Sequence, residues 1–412
     1  MTRDPAVRRL DDWGAPELRD LANEYGTPLY VLDLDRVARN FERVQAAFPN
    51  AAVHYAAKAN AGRAVLSRLA TEGAGVECAS AGEVERALEA GFAGEDVLYT
   101  AVNPPAADLD TVVALARDRP ELTITAGARD TVDRLAERGY DGRLCLRVHP
   151  GTGAGHGESV ATGGDASFGV PAADVPALLE DASDRGFDVV GVHAHTGSGL
   201  SNEDRESHLA VVETLASVAE RTTVDLEFVD VGGGFGVPYR PEEPPLDLDP
   251  IAEATREALA HLDVDLVVEP GRYLVADAGV LLTTVNTVKP AGEQGTFAGV
   301  DAGMTTLLRP ALYDAFHHVR SLEPDTADRE ETAVTVVGPV CESTDVLAEG
   351  RRLPEPDRGD RLAIGNAGAY GIEMANQYTS RPRPAVVALE HGEDRIVRRR
   401  ETTEDITAME EP

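Results

Sequence analysis

A lysine at the end of a short apolar segment is the first candidate for chemistry in this chain. The segment, VHYAAKANAG at residues 53–62, leads into Lys58, which small residues flank in a sequence poor in lysine. Partial burial lowers the pKa of a lysine amine, so that it can attack an aldehyde and form a Schiff base. An ordinary solvated surface lysine is the alternative, and this segment alone does not decide between the two.

Two histidines follow a later apolar segment, in the sequence HAHTGSG at residues 193–199. A flat imidazole such as that of His193 or His195 can stack on a planar cofactor. The hydroxyl groups of Thr196 and Ser198, with the neighbouring glycines, suit a phosphate. A core histidine and a metal-binding histidine are the alternatives. No carboxylate at matching spacing accompanies the pair, so we predict no metal site.

Glycines and charged residues follow two further apolar segments. In DVGGGFG, Gly232, Gly233 and Gly234 leave backbone amides free to approach an anion, and a flexible turn is the alternative. In EPGR, Glu269 can accept a hydrogen bond from a pyridinium nitrogen, and Arg272 can bind a carboxylate. Together these residues indicate pyridoxal phosphate. They offer an amine for its aldehyde, a ring that can stack on it, a turn that can bind its phosphate and an acid for its ring nitrogen.

Eight apolar segments that alternate with amphipathic helical segments position these residues. They are VHYAA, GVECA, VLYT, LTIT, RLCLRV, DVVGVHAH, LEFVDVG and DLVVEP, starting at residues 53, 75, 97, 122, 143, 188, 226 and 265. Such alternation predicts a parallel sheet covered by helices. Eight units over about 250 residues favour a (β/α)8 TIM barrel, with chemistry at the carboxyl ends of strands one, six, seven and eight. A doubly wound open sheet is the alternative.

Strand-like segments without regular intervening helices follow residue 279 and predict an antiparallel β-sandwich or β-barrel domain. We therefore expect an N-terminal segment at 1–30 that packs with the β domain, a cofactor-binding barrel at 31–278, and the β domain at 279–412. The glycine-rich stretch GTGAGHG at 151–157 does not match GxGxxG, because its sixth position is His156. We interpret it as a loop.

Composition excludes several classes of partner. Acidic residues outnumber basic ones by 72 to 38, and a formal net charge of −34 repels nucleic acids and anionic membranes. The acidic residues are dispersed, as on a solvated surface, and adaptation to high salt is a further hypothesis. The sequence contains no apolar run long enough to span a bilayer and no secretory signal pattern. Three sparse cysteines without CxxC spacing predict neither disulfides nor structural zinc, so we expect a cytoplasmic protein.

Several long motifs resemble those of the diaminopimelate decarboxylase family, which are pyridoxal phosphate-dependent group IV decarboxylases with the alanine-racemase-like fold. The resemblance covers nearly the whole chain. The motifs are YAAKAN, ECASAGE, HTGSG, GGGFGVPY, EPGRYLVADAGVLL, DAGMTTLLRPALYDAFH, GPVCESTD and NAGAYGIEMANQYTSRPRPAVV.

The resemblance implies a cofactor role for each motif residue in the barrel. Lys58 is expected to carry the cofactor, His195 to stack on its ring, and Glu269 to face the pyridine nitrogen. Phosphate binding is expected from the side chain of Ser198 and from backbone near the strand ends. The backbone positions are Gly232, Gly233, Gly234, Gly271 and Arg272.

The resemblance also implies roles toward the substrate. Cys341 is expected to be the proton donor and Glu342 to bind the distal amino group, both reaching the site of the other subunit of a homodimer. Tyr370 is expected to contact both cofactor and substrate. The distal carboxylate is expected to bind Arg272, Arg309 and Tyr313.

The charges at the distal end favour one substrate of this family. Two arginines match a second carboxylate, and Glu342 matches a second amine, as in meso-2,6-diaminopimelate, whose decarboxylation yields L-lysine. Ornithine, arginine or carboxynorspermidine would leave the arginines facing no anion. A related decarboxylase for those substrates, a racemase of the alanine type and a non-catalytic carrier of pyridoxal phosphate are the alternatives.

Overall fold

The computed structural model describes residues 6–151, 154–155, 168–292 and 295–411. Most of the predicted loop at 151–157 therefore lies outside the described residues. The chain forms two compact units. The barrel unit comprises Ala38–Gly236 and Leu246–Leu274, and the β unit comprises the segments ending at Val37, Val237–Pro245 and Val275–Pro412. None of the helices in the described ranges is both long and apolar enough to cross a membrane.

Eight parallel strands close into a barrel in the first of these units. They are β2 (Ala51–Ala56), β3 (Gly75–Cys78), β4 (Val97–Tyr99), β5 (Thr123–Ala126), β6 (Arg143–His149), β9 (Asp188–His193), β11 (Phe228–Asp230) and β12 (Asp265–Val268). Their spatial order is β5-β4-β3-β2-β12-β11-β9-β6, and pairing of β5 with β6 closes the ring. The predicted TIM barrel is confirmed, and the open doubly wound alternative is wrong. Nearly every strand residue is buried, which explains the continuous apolar segments.

Helices connect the successive barrel strands, and one further helix lies before the first strand and one after the last. They are α2 (Leu34–Ala47), α3 (Arg63–Thr71), α4 (Ala81–Ala90), α5 (Ala106–Asp118), α6 (Arg129–Glu137), α7 (Val175–Asp184), α8 (Arg205–Arg221), α9 (Leu248–Leu259) and the short α10 (Arg272–Val275). Helix α4 shows how residues at each end of such a helix determine where it begins and ends. Ser80 caps its first turn by accepting from the backbone amide of Glu83, and Gly91 ends it in the left-handed region.

The remaining strands lie elsewhere in the fold. The β unit contains β1 (Leu29–Asp33), β13 (Gly279–Pro290), β14 (Thr296–Val300), β15 (Val319–Ser321), β16 (Glu331–Val337), β17 (Val346–Pro354), β18 (Arg361–Ile364), β19 (Ala385–Glu390) and β20 (Glu393–Arg398). The barrel unit adds the two-residue strands β7 (Ala154–Gly155), β8 (Val170–Pro171) and β10 (Gly197–Ser198). Three further helices are α1 (Ala15–Tyr25), α11 (Arg309–Tyr313) and α12 (Thr403–Thr407).

The sheet of the β unit is mostly antiparallel, as predicted, with two parallel pairs. Strand β1 pairs antiparallel with β13 and parallel with β19, and β14 pairs parallel with β16. The sequence analysis missed β1, β15, β17 and β20. Strand β17 buries only three of its nine residues and β20 buries none of its six, so neither has a continuous apolar segment. Helix α1 packs its apolar face on this sheet, with Trp13 and Leu18 in the shared core.

A buried ion pair joins two segments of the β unit that are distant in the sequence. Arg36 and Asp277 are almost fully buried and lie 2.7 Å apart between Nη2 and the carboxylate. Asp277 also accepts from the backbone amide of Arg8 at 2.9 Å. Because a buried charge needs its partner, removing one member leaves the other uncompensated.

We predict that Asp277→Ala lowers the free energy of unfolding of the β unit by about 3–5 kcal/mol. Urea denaturation followed by the fluorescence of Trp13 measures this, since Trp13 is the single tryptophan and lies in that unit. Glu331→Ala, which removes an exposed ion pair with Arg352, is the matched control and costs at most about 1 kcal/mol. The prediction is contradicted if both variants lose the same free energy of unfolding.

Candidate active site

Lys58 lies immediately beyond strand β2, in a short helical turn at Ala57–Ala59. The turn is held by Tyr55, whose hydroxyl donates to the carbonyl of Asn60 at 2.9 Å. The Lys58 Nζ atom lies 2.9 Å from a carboxylate oxygen of Glu77, and the lysine side chain remains 41% exposed while Glu77 is 2% exposed. The lysine is therefore oriented at its base and at its tip, and still accessible to a reactant.

Glu77 is a site residue that the sequence analysis missed. It lies on β3, where it is paired in register with Ala56 of β2. Burial raises the pKa of its carboxyl, and the charge of Lys58 acts in the opposite direction. A charged residue in the otherwise apolar strand GVEC was the available signal, because adjacent parallel strands bring it beside the lysine.

A second buried cluster joins His193, Asp230 and Glu269, whose potential ligand atoms all lie within 4.8 Å of one another. The His193 Nε2 atom is 3.2 Å from Glu269 Oε2. No carboxylate stands at matching spacing beside the histidines in the sequence, but the fold brings two next to His193, because the ends of β9, β11 and β12 lie side by side. Separation along the sequence concealed this proximity.

The two carboxyl groups of this cluster differ in charge. Burial by itself would raise the pKa of Glu269, but the charge and hydrogen bond of His193 lower it well below its usual range. Burial and the neighbouring Glu269 charge raise the pKa of Asp230, which accepts from the Gly232 amide at 2.8 Å. Glu269 is therefore the stronger acid of the two, and carboxyl groups whose pKa values shift in opposite directions suit the holding of a proton more than a set of metal ligands.

The remaining oxygen of Glu269 provides a direct test of cofactor fit. Glu269 Oε1 is buried and has no hydrogen-bond partner among the residues that the structure describes. A buried carboxylate oxygen needs a donor, and a protonated pyridine nitrogen is a donor of the right kind. The barrel residues thus fit pyridoxal phosphate.

His195 has the protonation state that ring stacking requires. Burial and the charges of Lys58 and Arg147 lower the pKa of its imidazole well below the usual value, so the ring is neutral. Its Nδ1 accepts from the Gly233 amide at 3.3 Å, which places the proton on Nε2. A neutral imidazole presents an uncharged face to a planar ring.

The predicted phosphate-binding residues come together in the barrel unit. Gly232 adopts a φ of +69°, and a Cβ atom at Gly233 would lie 1.9 Å from the carbonyl oxygen of Glu269. Both positions therefore require glycine. Arg272 donates to the Ser198 hydroxyl at 3.1 Å, joining the ends of β9 and β12. Gly271 lies against Ala56 of β2, where a Cβ atom would be 3.1 Å from the alanine side chain.

The other predicted residues, Arg309, Tyr313, Cys341, Glu342 and Tyr370, lie in the β unit. Arg309 is buried at the start of α11, and Tyr313 is 40% exposed at its end. Cys341 is an exposed free thiol. Tyr370 adopts a left-handed backbone with φ of 55°, a strained conformation for a bulky side chain.

Two residues that sequence reasoning missed hold the Cys341 segment. The Tyr378 hydroxyl donates to the Glu342 carboxylate at 2.6 Å. The buried Asp345 accepts from the backbone amides of Met304 at 2.6 Å and Val340 at 2.7 Å. The acid in the motif GPVCESTD was a visible signal for Asp345, and none was visible for Tyr378.

Comparison with known proteins places this geometry in a family. Residues 34–276 match the model for the pyridoxal binding domain of pyridoxal-dependent decarboxylases. Diaminopimelate decarboxylase of Methanothermobacter thermautotrophicus is 43% identical over 95% of this chain and 94% of its own length. The Deinococcus radiodurans enzyme of that name is 40% identical, over 95% and 98% respectively.

The fold agrees with these sequence matches. The crystal structure of diaminopimelate decarboxylase from Helicobacter pylori complexed with L-lysine superposes with a TM-score of 0.89 and 33% identity, covering 95% of this chain and 99% of that one. The family match spans more than half of the chain, and the full-length relatives span nearly all of it. The chain therefore belongs to the diaminopimelate decarboxylase family of pyridoxal-dependent decarboxylases.

Proposed function

We propose that this protein is a pyridoxal phosphate-dependent enzyme that decarboxylates meso-2,6-diaminopimelate to L-lysine and carbon dioxide. The observation that supports this most directly is the ionised, buried Glu269 with an unpartnered oxygen, in the same barrel unit as Lys58. The relatives named diaminopimelate decarboxylase and the L-lysine complex of the Helicobacter pylori enzyme support the same substrate and product.

The barrel residues have separate tasks in this reaction. The bound cofactor supplies an electron-accepting ring for the electron pair left when the carboxylate departs. Lys58 holds the cofactor aldehyde, and Glu77 orients the lysine amine. Glu269 holds the proton on the ring nitrogen, and neutral His195 covers the ring. The backbone near Gly234 and Gly271 binds the phosphate, because the amides of Gly232 and Gly233 already donate to Asp230 and His195.

The residues of the β unit act on the substrate in this proposal. Arg272 of the barrel and Arg309 bind the distal carboxylate, together with Tyr313. Cys341 returns a proton to Cα, for which an accessible thiol near neutral pH is suited. Glu342 binds the distal ammonium, and Tyr370 contacts both the cofactor and the substrate. This distribution of charge disfavours ornithine, arginine or carboxynorspermidine as substrate.

We also propose a homodimer in which Cys341 and Glu342 complete the active site of the partner. Their segment is exposed in the single chain, while Asp345 anchors it firmly. A fixed, exposed segment suits a residue that serves a neighbouring subunit. The cytoplasmic location and the salt-adapted acidic surface stay predictions from composition.

Covalent labelling tests the role of Lys58. The chain has two lysines, Lys58 and the exposed Lys289. Borohydride reduction of the holoenzyme should fix one cofactor per chain on Lys58, because only that amine lies beside the other cofactor residues. Peptide mass mapping measures the label. Lys289→Arg should keep it, and a full label in Lys58→Arg contradicts the assignment.

Substrate profiling tests the reaction and the role of Arg309. The wild type should release carbon dioxide from meso-diaminopimelate, and Arg309→Ala should lose roughly 10- to 100-fold in kcat/KM, as expected for a charge-assisted pair. Weak activity on lysine or ornithine should hardly fall, since these lack a distal carboxylate in the productive orientation. Arg351→Ala, at a half-buried arginine of the β unit, is the control. Equal losses on all substrates would show that Arg309 is structural.

Mixing two inactive variants tests the shared site. Lys58→Ala and Cys341→Ala should each be nearly inactive alone. After subunit exchange, each mixed dimer has one site with both intact residues, so activity should recover to about a quarter of wild type in an equal mixture. Native mass spectrometry verifies the exchange. If mixed dimers form and activity stays absent, the two residues act within one chain.

A further inference from the structure

Arg309 is held by a fixed set of contacts within the β unit. It is the first residue of α11 and is 7% exposed. Its Nη1 atom lies 2.8 Å from Nε2 of His317, which is fully buried. A guanidinium can only donate, so the His317 Nε2 atom must be the acceptor in this hydrogen bond.

The other ring nitrogen of His317 determines its tautomer. Nδ1 lies 2.8 Å from the carbonyl oxygen of Gly365. Because a carbonyl oxygen can only accept, the proton is on Nδ1 and the lone pair is on Nε2. His317 is therefore a neutral imidazole whose two hydrogen bonds leave it one orientation. A protonated ring would direct an N–H group at the Arg309 cation.

An aromatic ring restrains the same arginine from a second direction. The Cζ atom of Arg309 lies 4.7 Å from the centroid of the Tyr239 ring. That ring in turn packs edge-on against His317, with centroids 5.2 Å apart and an interplanar angle of 85°. His317 and Tyr239 are both uncharged, so these contacts orient the guanidinium without neutralising its charge.

We propose that His317 is the positioning residue that orients Arg309 for the carboxylate at the distal end of the substrate. The inference rests on the proposed function, since it takes Arg309 as the residue that binds this carboxylate. His317 then contributes to the choice between ligands with and without that group, without touching the ligand itself. The alternative to this positioning role is that His317 is a core histidine that only stabilises the β unit.

Ligand binding to the holoenzyme separates these two roles without measuring turnover. L-lysine carries a carboxylate beside one amine, and cadaverine, 1,5-diaminopentane, is the same molecule without it. Calorimetry on the wild type should show tighter binding of L-lysine. His317→Phe keeps a ring against Tyr239 but removes the acceptor, so L-lysine binding should weaken by roughly tenfold, a typical effect of a hydrogen bond to a charged group. Cadaverine binding should stay unchanged.

The conservative variant His317→Gln should retain most of the preference, because its amide can donate to Gly365 and accept from Arg309. If His317→Phe does not fold, as judged by its melting temperature, His317→Leu removes the acceptor with a smaller side chain. The inference is overturned if the folded variants without the acceptor still prefer L-lysine over cadaverine as the wild type does. It is also overturned if the affinities for L-lysine and cadaverine fall equally.

Two results distinguish this inference from the proposed function. Wild-type protein that releases no carbon dioxide from diaminopimelate refutes the function itself. If the wild type is active and Arg309→Ala abolishes the L-lysine preference while His317→Phe keeps it, the function stands and His317 has no positioning role. If Arg309→Ala also keeps the preference, the carboxylate role of Arg309 fails, and the inference fails with it.

Discussion

The pairing of charges buried at the carboxyl ends of the barrel strands is the constraint on which the site depends. A charged group removed from water costs several kcal/mol unless a partner compensates it. The buried carboxylate of Glu77 is compensated by Lys58, and the buried carboxylate of Glu269 is compensated by His193. Each pair bridges strands of the barrel, so the sheet geometry holds the charges at hydrogen-bonding distance. Among the residues that the structure describes, Glu269 Oε1 and His193 Nδ1 of this cluster have no hydrogen-bond partner, and the cofactor nitrogen is expected at the Glu269 oxygen.

The same pairing gives similar side chains different chemistry. Three carboxyl groups, those of Glu77, Asp230 and Glu269, are buried in the barrel unit. The pKa of the first two is raised by burial, whereas the hydrogen bond and charge of His193 lower that of Glu269. A histidine beside one acid therefore decides which of these buried carboxyl groups is the strongest acid.

The β unit uses a different device for its functional residues. Its contacts fix side chains through neutral groups and backbone amides. His317 accepts from Arg309, and Asp345 accepts from the amides of Met304 and Val340. The His317 contact places no negative charge beside the Arg309 guanidinium, and the backbone anchors of Asp345 leave the Cys341 thiol exposed.

The sequence alone determined the barrel, the cofactor class and the family, because these follow from patterns that are local in the chain. The eight apolar strands, the lysine at the end of β2 and the EPGR motif were all readable without coordinates. Only the tertiary structure revealed Glu77, Asp230 and His317 as partners. Their roles depend on closeness across strands and between distant segments, and on which lone pair or proton faces a neighbour. Burial and hydrogen bonding in the folded chain decide which residues are neighbours and which lone pair or proton faces them. Residue spacing along the sequence does not encode this information.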